Sequence, residues 1–321
     1  MRSFISSFKT LTFERALIWL LSGILLYFAI LEVAMRTVFP KISHGQYREQ
    51  TDYRAATAVR SVADGGRKSV LVIGNSLLLQ GIDRAKLQQM LAPAAAVTVF
   101  PIEGTTYFDW YYGLRRLFAE GARPATIVLC INSRQVISNG TNGERFARSL
   151  MRLRDLPAVA EAAKLDSMTV SSYFFANASA WLGGRSYLRN GLLQRWMPDA
   201  DILVTHFTAR DLAPFTASPM VVATALSRLE QFAALSQENG AEFIWLVPPT
   251  LNSADPAPAI KRAAAVHDLP VLIPYRPGSL PRSVFADGFH LNSQGAALFT
   301  AQAAPALREQ LSASLHAGRT P

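Results

Sequence analysis

Short apolar segments rich in β-branched residues alternate with helical segments along most of this chain. Five such segments predict strands, at residues 69–73, 97–100, 126–131, 242–247 and 271–273. Helical periodicity between and after them predicts helices over residues 84–91, 108–120, 220–239 and 294–311. Strands joined through helices run in the same direction, and the helices cover both faces of the sheet. The pattern therefore predicts an α/β three-layer sandwich with a mostly parallel five-stranded sheet, in a domain of residues 69–321.

One interruption of this alternation, at about residues 133–218, is too long for a bare loop and predicts a helical insertion. Arg145, Arg148, Arg152 and Arg154 crowd a short stretch of it. A solvated helix face is one interpretation of this stretch. A surface that meets anionic lipid or polymer is the other.

The N-terminal region contains no charged residue from position 16 to position 31. An apolar helix of about 20 residues can cross a bilayer, so we expect a transmembrane helix over residues 16–35 after a short flank, 1–15. A cleaved signal peptide is the alternative, but no clear small-residue cleavage site follows the apolar run. Residues 36–68 are polar and predict a linker or stalk. Basic residues lie on both sides of the apolar run, so their counts do not determine its orientation.

The chain of 321 residues has a formal net charge of +9, which suits an anionic partner such as a lipid surface or an acidic polymer. It carries no zinc-finger, basic-zipper or other nucleic-acid signature, so a nucleic-acid partner is not expected. Cys130 is the only cysteine. A lone cysteine makes no intrachain disulfide, and the sequence predicts neither a metal site nor a cofactor.

Two fragments carry the chemistry. The first predicted strand ends in Gly74-Asn75-Ser76, and Asp287-Gly-Phe-His290 precedes the last predicted helix. A serine hydroxyl becomes a nucleophile when a base takes its proton, and a carboxylate can orient that base. Sites in parallel sheets lie at the carboxyl ends of strands, where Ser76 is expected. The fragments predict an acyl-transfer enzyme.

Two further positions suit the oxyanion that such a reaction generates. Gly104 follows the second predicted strand, and its backbone N–H can approach a ligand closely because glycine has no side chain. Asn132 follows the third predicted strand and offers an amide donor.

In this arrangement the chain resembles the SGNH hydrolases, also called the GDSL esterase/lipase superfamily, which are named for Ser, Gly, Asn and His in four ordered blocks. The resemblance implies an SGNH or flavodoxin-like fold with Ser76 as nucleophile, His290 as general base and Asp287 as its orienter. It also implies an oxyanion hole formed by the N–H groups of Ser76 and Gly104 and by the Asn132 side chain. The family usually has Asp where this chain has Asn75, and Gly-x-Asn-Asp where it has Cys130-Ile-Asn132-Ser133.

The single anchor and the helical insertion make the chain similar to envelope members of that superfamily, the DltD-like and alginate-acetylation-type proteins. This likeness implies a single-pass protein of the cytoplasmic membrane whose catalytic domain faces the periplasm. It implies an O-acyltransferase or esterase acting on a cell-surface glycan, with an acyl donor and a polytopic membrane acyltransferase as partners. The alternatives are a membrane-associated lipase or thioesterase and a non-catalytic assembly factor.

Overall fold

A parallel sheet forms the centre of the protein. The computed structural model describes residues 13–63, 66–92, 94–197 and 215–317. The strands, in chain order, are β1 (Lys68–Gly74), β2 (Ala95–Pro101), β3 (Thr126–Cys130), β4 (Glu242–Leu246) and β5 (Val271–Leu272). They lie in the order β2-β1-β3-β4-β5, and every pairing is parallel. The prediction of an α/β fold with a five-stranded sheet is confirmed.

Both faces of the sheet are buried. Alternate side chains of β1 enter different hydrophobic clusters, with Leu71 and Ile73 in one and Val70 and Val72 in the other. All four are fully buried. Successive strand residues point to opposite faces, so a strand covered on both sides is apolar at most of its positions. This requirement explains why the strands are readable as continuous apolar runs.

The helices have the following bounds, in chain order: α1 (Phe13–Thr37), α2 (Phe39–Ile42), α3 (His44–Ala58), α4 (Ser76–Gly81), α5 (Arg84–Leu91), α6 (Tyr107–Ala119), α7 (Ser133–Val136), α8 (Gly143–Ser149), α9 (Leu156–Ala162), α10 (Ser167–Ala178), α11 (Ala180–Trp196), α12 (Pro219–Glu238), α13 (Ala257–Ala265) and α14 (Ser293–Ala317). Short 3₁₀ turns occur at Leu153–Asp155 and Arg282–Val284.

Helix α1 is long and apolar enough to cross a membrane, and it is the one such helix among the described residues. Most of its large apolar side chains are exposed, including Trp19 at 71% and Leu25 at 70%. Exposure of this many apolar residues on one helix is unfavourable in water and favourable in lipid. The helix is therefore consistent with single-pass membrane anchoring.

The carboxyl end of α1 is attached to the rest of the protein by Glu32. Its carboxylate accepts hydrogen bonds from Ser179 Oγ at 2.8 Å and from the N–H groups of Ala180 and Trp181 at 2.8 and 3.0 Å. These two N–H groups are the first of α11, and the N-terminus of a helix has unpaired N–H donors and a partial positive charge. A charge inside an apolar run thus serves as the cap of a helix far along the chain.

Residues 36–68, predicted as a linker or stalk, include α3, which packs on the edge strand β2. The Tyr53 ring meets the Phe100 ring edge-on, with centroids 5.7 Å apart, and Ala56 is fully buried. Asp52 accepts two hydrogen bonds from Arg84 of α5, both at 3.0 Å. These contacts hold α3 against the α/β body.

The predicted insertion, about 133–218, is helical from α7 to α11, and residues 198–214 lie outside the described part of the chain. Its arginines have different surroundings. Arg145 pairs with Glu49 of α3, and Arg152 pairs with Asp155. Arg148 donates to the Asn177 carbonyl, while Arg154 is exposed. The four side chains therefore do not form one uniform solvated face.

Candidate active site

Ser76 is the first residue of α4 and follows β1 after a single intervening residue, Asn75. Gly74 ends the strand, and a Cβ there would lie 2.3 Å from the Cys130 carbonyl oxygen of β3. Only glycine fits between the two strands at this point. The strand can therefore turn sharply into α4 and leave the Ser76 side chain half-buried at the carboxyl edge of the sheet.

Asn75 joins the serine turn to the loop that follows β2. Its Oδ1 accepts a hydrogen bond from Leu77 N at 3.0 Å and so caps α4, while its Nδ2 donates to the Thr105 carbonyl at 2.9 Å. The side chain is fully buried. A carboxylate could perform the first task but not the second, because it has no N–H to donate. This contact gives a physical reason for asparagine rather than aspartate at this position.

His290 lies in direct contact with Ser76, and Asp287 lies in direct contact with His290. His290 Nε2 is 2.9 Å from Ser76 Oγ, and His290 Nδ1 is 2.7 Å from Asp287 Oδ2. The second oxygen, Oδ1, accepts from the backbone N–H groups of Phe289 and His290 at 2.8 and 2.7 Å. The three residues, 214 positions apart at the extremes, thus form one hydrogen-bonded chain of hydroxyl, imidazole and carboxylate.

The loop that carries Asp287 and His290 is a tight turn before α14. Ala286 N donates to the His290 carbonyl at 2.8 Å, and Phe285 and Leu291 form an antiparallel bridge. Gly288, between the two site residues, has φ of +86°, a conformation that favours glycine. Asn292 Oδ1 then accepts from Gly295 N at 3.0 Å at the start of α14. The loop that carries the imidazole is therefore held by the turn around Gly288 and by the start of α14.

Hydrogen bonding keeps Asp287 ionised. Partial burial acts to raise the pKa of this carboxyl, but the backbone and ring N–H groups of His290 and the N–H of Phe289 outweigh it, and the pKa lies below its usual value. The carboxylate places the imidazole proton on Nδ1. Nε2 is then left with a lone pair toward Ser76 Oγ, which is the arrangement a general base requires.

Gly104 and Asn132 follow the strands on either side of β1. Gly104 comes after β2 and Asn132 after β3, and Gly74 is paired in register with the ends of both strands. Asn132 is the N-cap of α7, and its Oδ1 accepts a hydrogen bond from Gln135 N at 2.9 Å. This cap fixes the amide orientation, and Asn132 Nδ2 donates to no acceptor among the described residues. The N–H groups of Ser76 and Gly104 likewise have no acceptor in the described part of the chain.

The Gly104 loop is held by Asn142 and Asp109, which sequence analysis did not single out. Gly104 has φ of +73°. Asn142 Nδ2 donates to the Glu103 carbonyl at 2.6 Å, and Asn142 N donates to Asp109 Oδ1 at 2.8 Å. Complete burial raises the pKa of Asp109 to about 7, against the effect of the hydrogen bonds it accepts. The Thr106-x-x-Asp109 spacing is a readable capping signal, but nothing in the sequence marks Asn142.

A second buried pair supports the turn at Asn132. Ser133 Oγ donates to Asp255 Oδ1 at 2.6 Å, and the same oxygen accepts from Ala257 N at 2.9 Å. Burial raises the pKa of Asp255 against the hydrogen bond from Ser133. The pair connects α7 to the start of α13.

Comparison with known proteins gives no family: no protein-family model and no curated protein matches this chain. Chemical interpretation therefore depends on the geometry. Within the described ranges, no group of three or more His, Cys, Asp and Glu side chains could hold a metal ion. The arrangement around Ser76 can generate a nucleophilic oxygen, and the segments that follow β2 and β3 carry donors, the Gly104 N–H and Asn132 Nδ2, that have no acceptor among the described residues.

Proposed function

We propose that this protein is a serine acyl-transfer enzyme of the SGNH type, an O-acyltransferase or esterase that acts through an acyl-Ser76 intermediate. The observation that supports it most is the contiguous chain from Ser76 Oγ through His290 to Asp287. The strand order, with β1 between β2 and β3, suits an SGNH-type three-layer sandwich, with the site at the carboxyl ends of its strands.

In the proposed reaction His290 Nε2 accepts the Ser76 proton while Oγ attacks the acyl carbonyl carbon. The oxyanion that forms is stabilised by the N–H groups of Ser76 and Gly104 and by Asn132 Nδ2. The imidazolium then protonates the leaving alkoxide, and the acyl-serine remains. In the second half His290 deprotonates the acceptor, which attacks the acyl carbon and releases Ser76. The acceptor is a sugar hydroxyl in transfer and water in hydrolysis.

The proposed substrate is an acylated glycan of the cell envelope. Anchoring by α1 holds the domain at a membrane, and the net charge of +9 suits an acidic polymer. A lipase or thioesterase acting on membrane lipids is the second candidate, because Glu32 ties the body closely to the membrane helix. A non-catalytic assembly factor would have no need of the aligned Ser76–His290 pair.

The test of the proposed function is direct detection of the acyl-enzyme. Full-length protein is incubated with p-nitrophenyl acetate, quenched in acid and analysed by peptide mass spectrometry. We expect one acetylated peptide, modified at Ser76. Adding soluble glycans then separates the candidates, since a transferase passes the acetyl group to sugar and an esterase releases acetate. A wild-type protein that acquires no acetyl group, or acquires it only on lysines, would refute the proposal.

The proposed orientation predicts that the carboxyl terminus lies on the periplasmic side. An alkaline phosphatase fused after Pro321 should be active, because this reporter folds only outside the cytoplasm. A cytoplasmic reporter at the same position serves as the matched control and should be inactive. The opposite pattern would place the domain in the cytoplasm and would favour a lipid or thioester substrate over an envelope glycan.

A further inference from the structure

The protein contains a concavity away from Ser76, which we call the α1 cavity. It has a volume of about 670 Å³ and lies among the end of α1, α3, α6, α8 and α11. None of the residues of the Ser76 chain lines it. Its size falls in the range of sites that bind small molecules.

Arginine dominates the lining of the α1 cavity, with five arginines against two glutamates. Three of the arginines are paired: Arg36 with Glu32, Arg116 with Glu120 and Arg152 with Asp155. Within the described ranges, the other two, Arg54 and Arg148, have no carboxylate within salt-bridge distance. The cavity therefore presents an excess of positive charge.

Arg148 lies in electrostatically unfavourable surroundings. Burial and the guanidinium group of Arg36, followed by that of Arg116, lower the pKa of Arg148 against the opposite effect of Glu32. Among the described residues, its guanidinium donates one hydrogen bond, to the Asn177 carbonyl at 3.3 Å. A guanidinium group that lies near other guanidinium groups and has no carboxylate partner is suited to bind the oxygens of a phosphate.

The α1 cavity also contains an unpaired acceptor. The Gln46 side-chain oxygen is buried and has no hydrogen-bond partner. A buried acceptor without a partner is costly, and a ligand N–H or O–H would remove that cost. A complementary ligand would therefore carry both an anionic oxygen and a donor group.

The cavity is placed where such a ligand is abundant. The part of α1 that precedes Glu32, from Phe13 to Leu31, is about 28 Å long, close to the thickness of the bilayer hydrocarbon. With α1 across a bilayer, Arg36 lies at the level of the lipid headgroups, and Met35 beside it is buried in the protein. Gly184 permits this contact, since a Cβ there would lie 2.3 Å from Met35 Cε.

We propose that the α1 cavity binds the headgroup of a membrane phospholipid, with its phosphate on Arg148 and Arg54. Gln46 accepts a hydrogen bond from the ammonium or hydroxyl group of the same headgroup. The bound lipid would fasten α1, α3 and the α8–α11 insertion to one another at the membrane surface. This site is independent of the chemistry at Ser76.

The test uses the full chain in a neutral detergent, titrated with short-chain phosphatidylglycerol, phosphatidylethanolamine or phosphatidylcholine, or with inorganic phosphate, with binding read by native mass spectrometry. We expect the two lipids with headgroup donors to bind more tightly than phosphatidylcholine and free phosphate. Arg148→Gln and Arg54→Gln should each weaken binding about tenfold or more, as expected for loss of a charged hydrogen bond. Gln46→Ala should remove the preference over phosphatidylcholine.

Arg154→Gln is the matched control, because Arg154 belongs to the same arginine-rich stretch but is exposed and does not line the cavity. Its affinity should equal that of the wild type. Arg54 is exposed on α3, so its variant should keep the wild-type unfolding temperature even if Arg148→Gln does not. Equal binding by all arginine variants would overturn the proposal. Free phosphate that competes as well as the lipids would overturn the lipid assignment.

Discussion

Replacing Ser76 with alanine should reduce turnover of a small acyl ester by about 10⁴-fold or more, because it removes the atom that forms the covalent intermediate. The side chain is half-buried at the start of α4, and alanine fits the same space. Asn75 supplies the cap of α4, so the helix should persist. Initial rates with p-nitrophenyl acetate, together with labelling by a fluorophosphonate probe, measure the loss.

The matched control for this variant is Ser171→Ala. Ser171 is exposed on α10, and its hydroxyl donates to the Ser167 carbonyl of the same helix. This variant should keep wild-type turnover and labelling. Probe attachment that persists in Ser76→Ala, at a comparable rate, would mean that another residue is the nucleophile.

Asp287→Asn should lower turnover by about 10²- to 10⁴-fold by placing the imidazole proton on the wrong nitrogen. The orientation of the new amide is set in advance. Two backbone N–H groups, of Phe289 and His290, point at the Oδ1 position, so the amide oxygen must remain there. The amide N–H₂ then faces His290 Nδ1 as a donor, Nδ1 becomes the acceptor, and Nε2 carries the proton. An Nε2–H cannot accept the proton of Ser76.

Asp83→Asn provides the control for this exchange. Asp83 also accepts a backbone N–H, from Lys86 at 3.0 Å, as the cap of α5. Asparagine caps helices as well as aspartate does, so this variant should keep its activity. Steady-state turnover is measured for both variants. Asp83→Asn tests the loss of a carboxylate charge at a capping turn, whereas Asp287→Asn also moves the imidazole proton to the wrong nitrogen. Wild-type turnover in Asp287→Asn would show that the carboxylate has only a structural role.

The strands of this protein could be predicted because they are largely apolar, and β1, β3 and β4 are buried on both faces almost throughout. Predicted and observed limits differ by no more than two residues at any end, and α5 was predicted with its observed bounds, Arg84–Leu91. Residues 36–68 were harder to interpret. They are polar in sequence. Helix α3 is attached through a few contacts, such as those of Tyr53 and Asp52, and so few contacts do not produce an apolar periodicity in the sequence.

The candidate site was predicted in part. The sequence indicated Ser76 because it follows the end of a strand. It indicated Asp287 and His290 because they precede the last helix. Asn75 was noted only as a departure from a family pattern, because its bond to Thr105 depends on where the neighbouring strand ends. Asn142 gave no signal. It acts through the Glu103 carbonyl, which is 39 positions away in sequence and comes within hydrogen-bond distance only in the folded chain.

The sequence by itself determined the periodicities, which are local: an apolar N-terminal helix, five largely apolar strands with crossover helices, and a serine and an Asp-x-x-His fragment at the ends of elements. Tertiary structure decided the strand order that sets β1 between β2 and β3, and the contact of Ser76 with His290 across 214 positions. It alone decided that Glu32, a charge in an apolar run, would cap α11, and that arginines from α1, α3 and α8 would share a cavity. The physical reason is that hydrogen bonds and charge interactions act over a few ångströms in space. Residue order constrains these distances only between near neighbours in the chain.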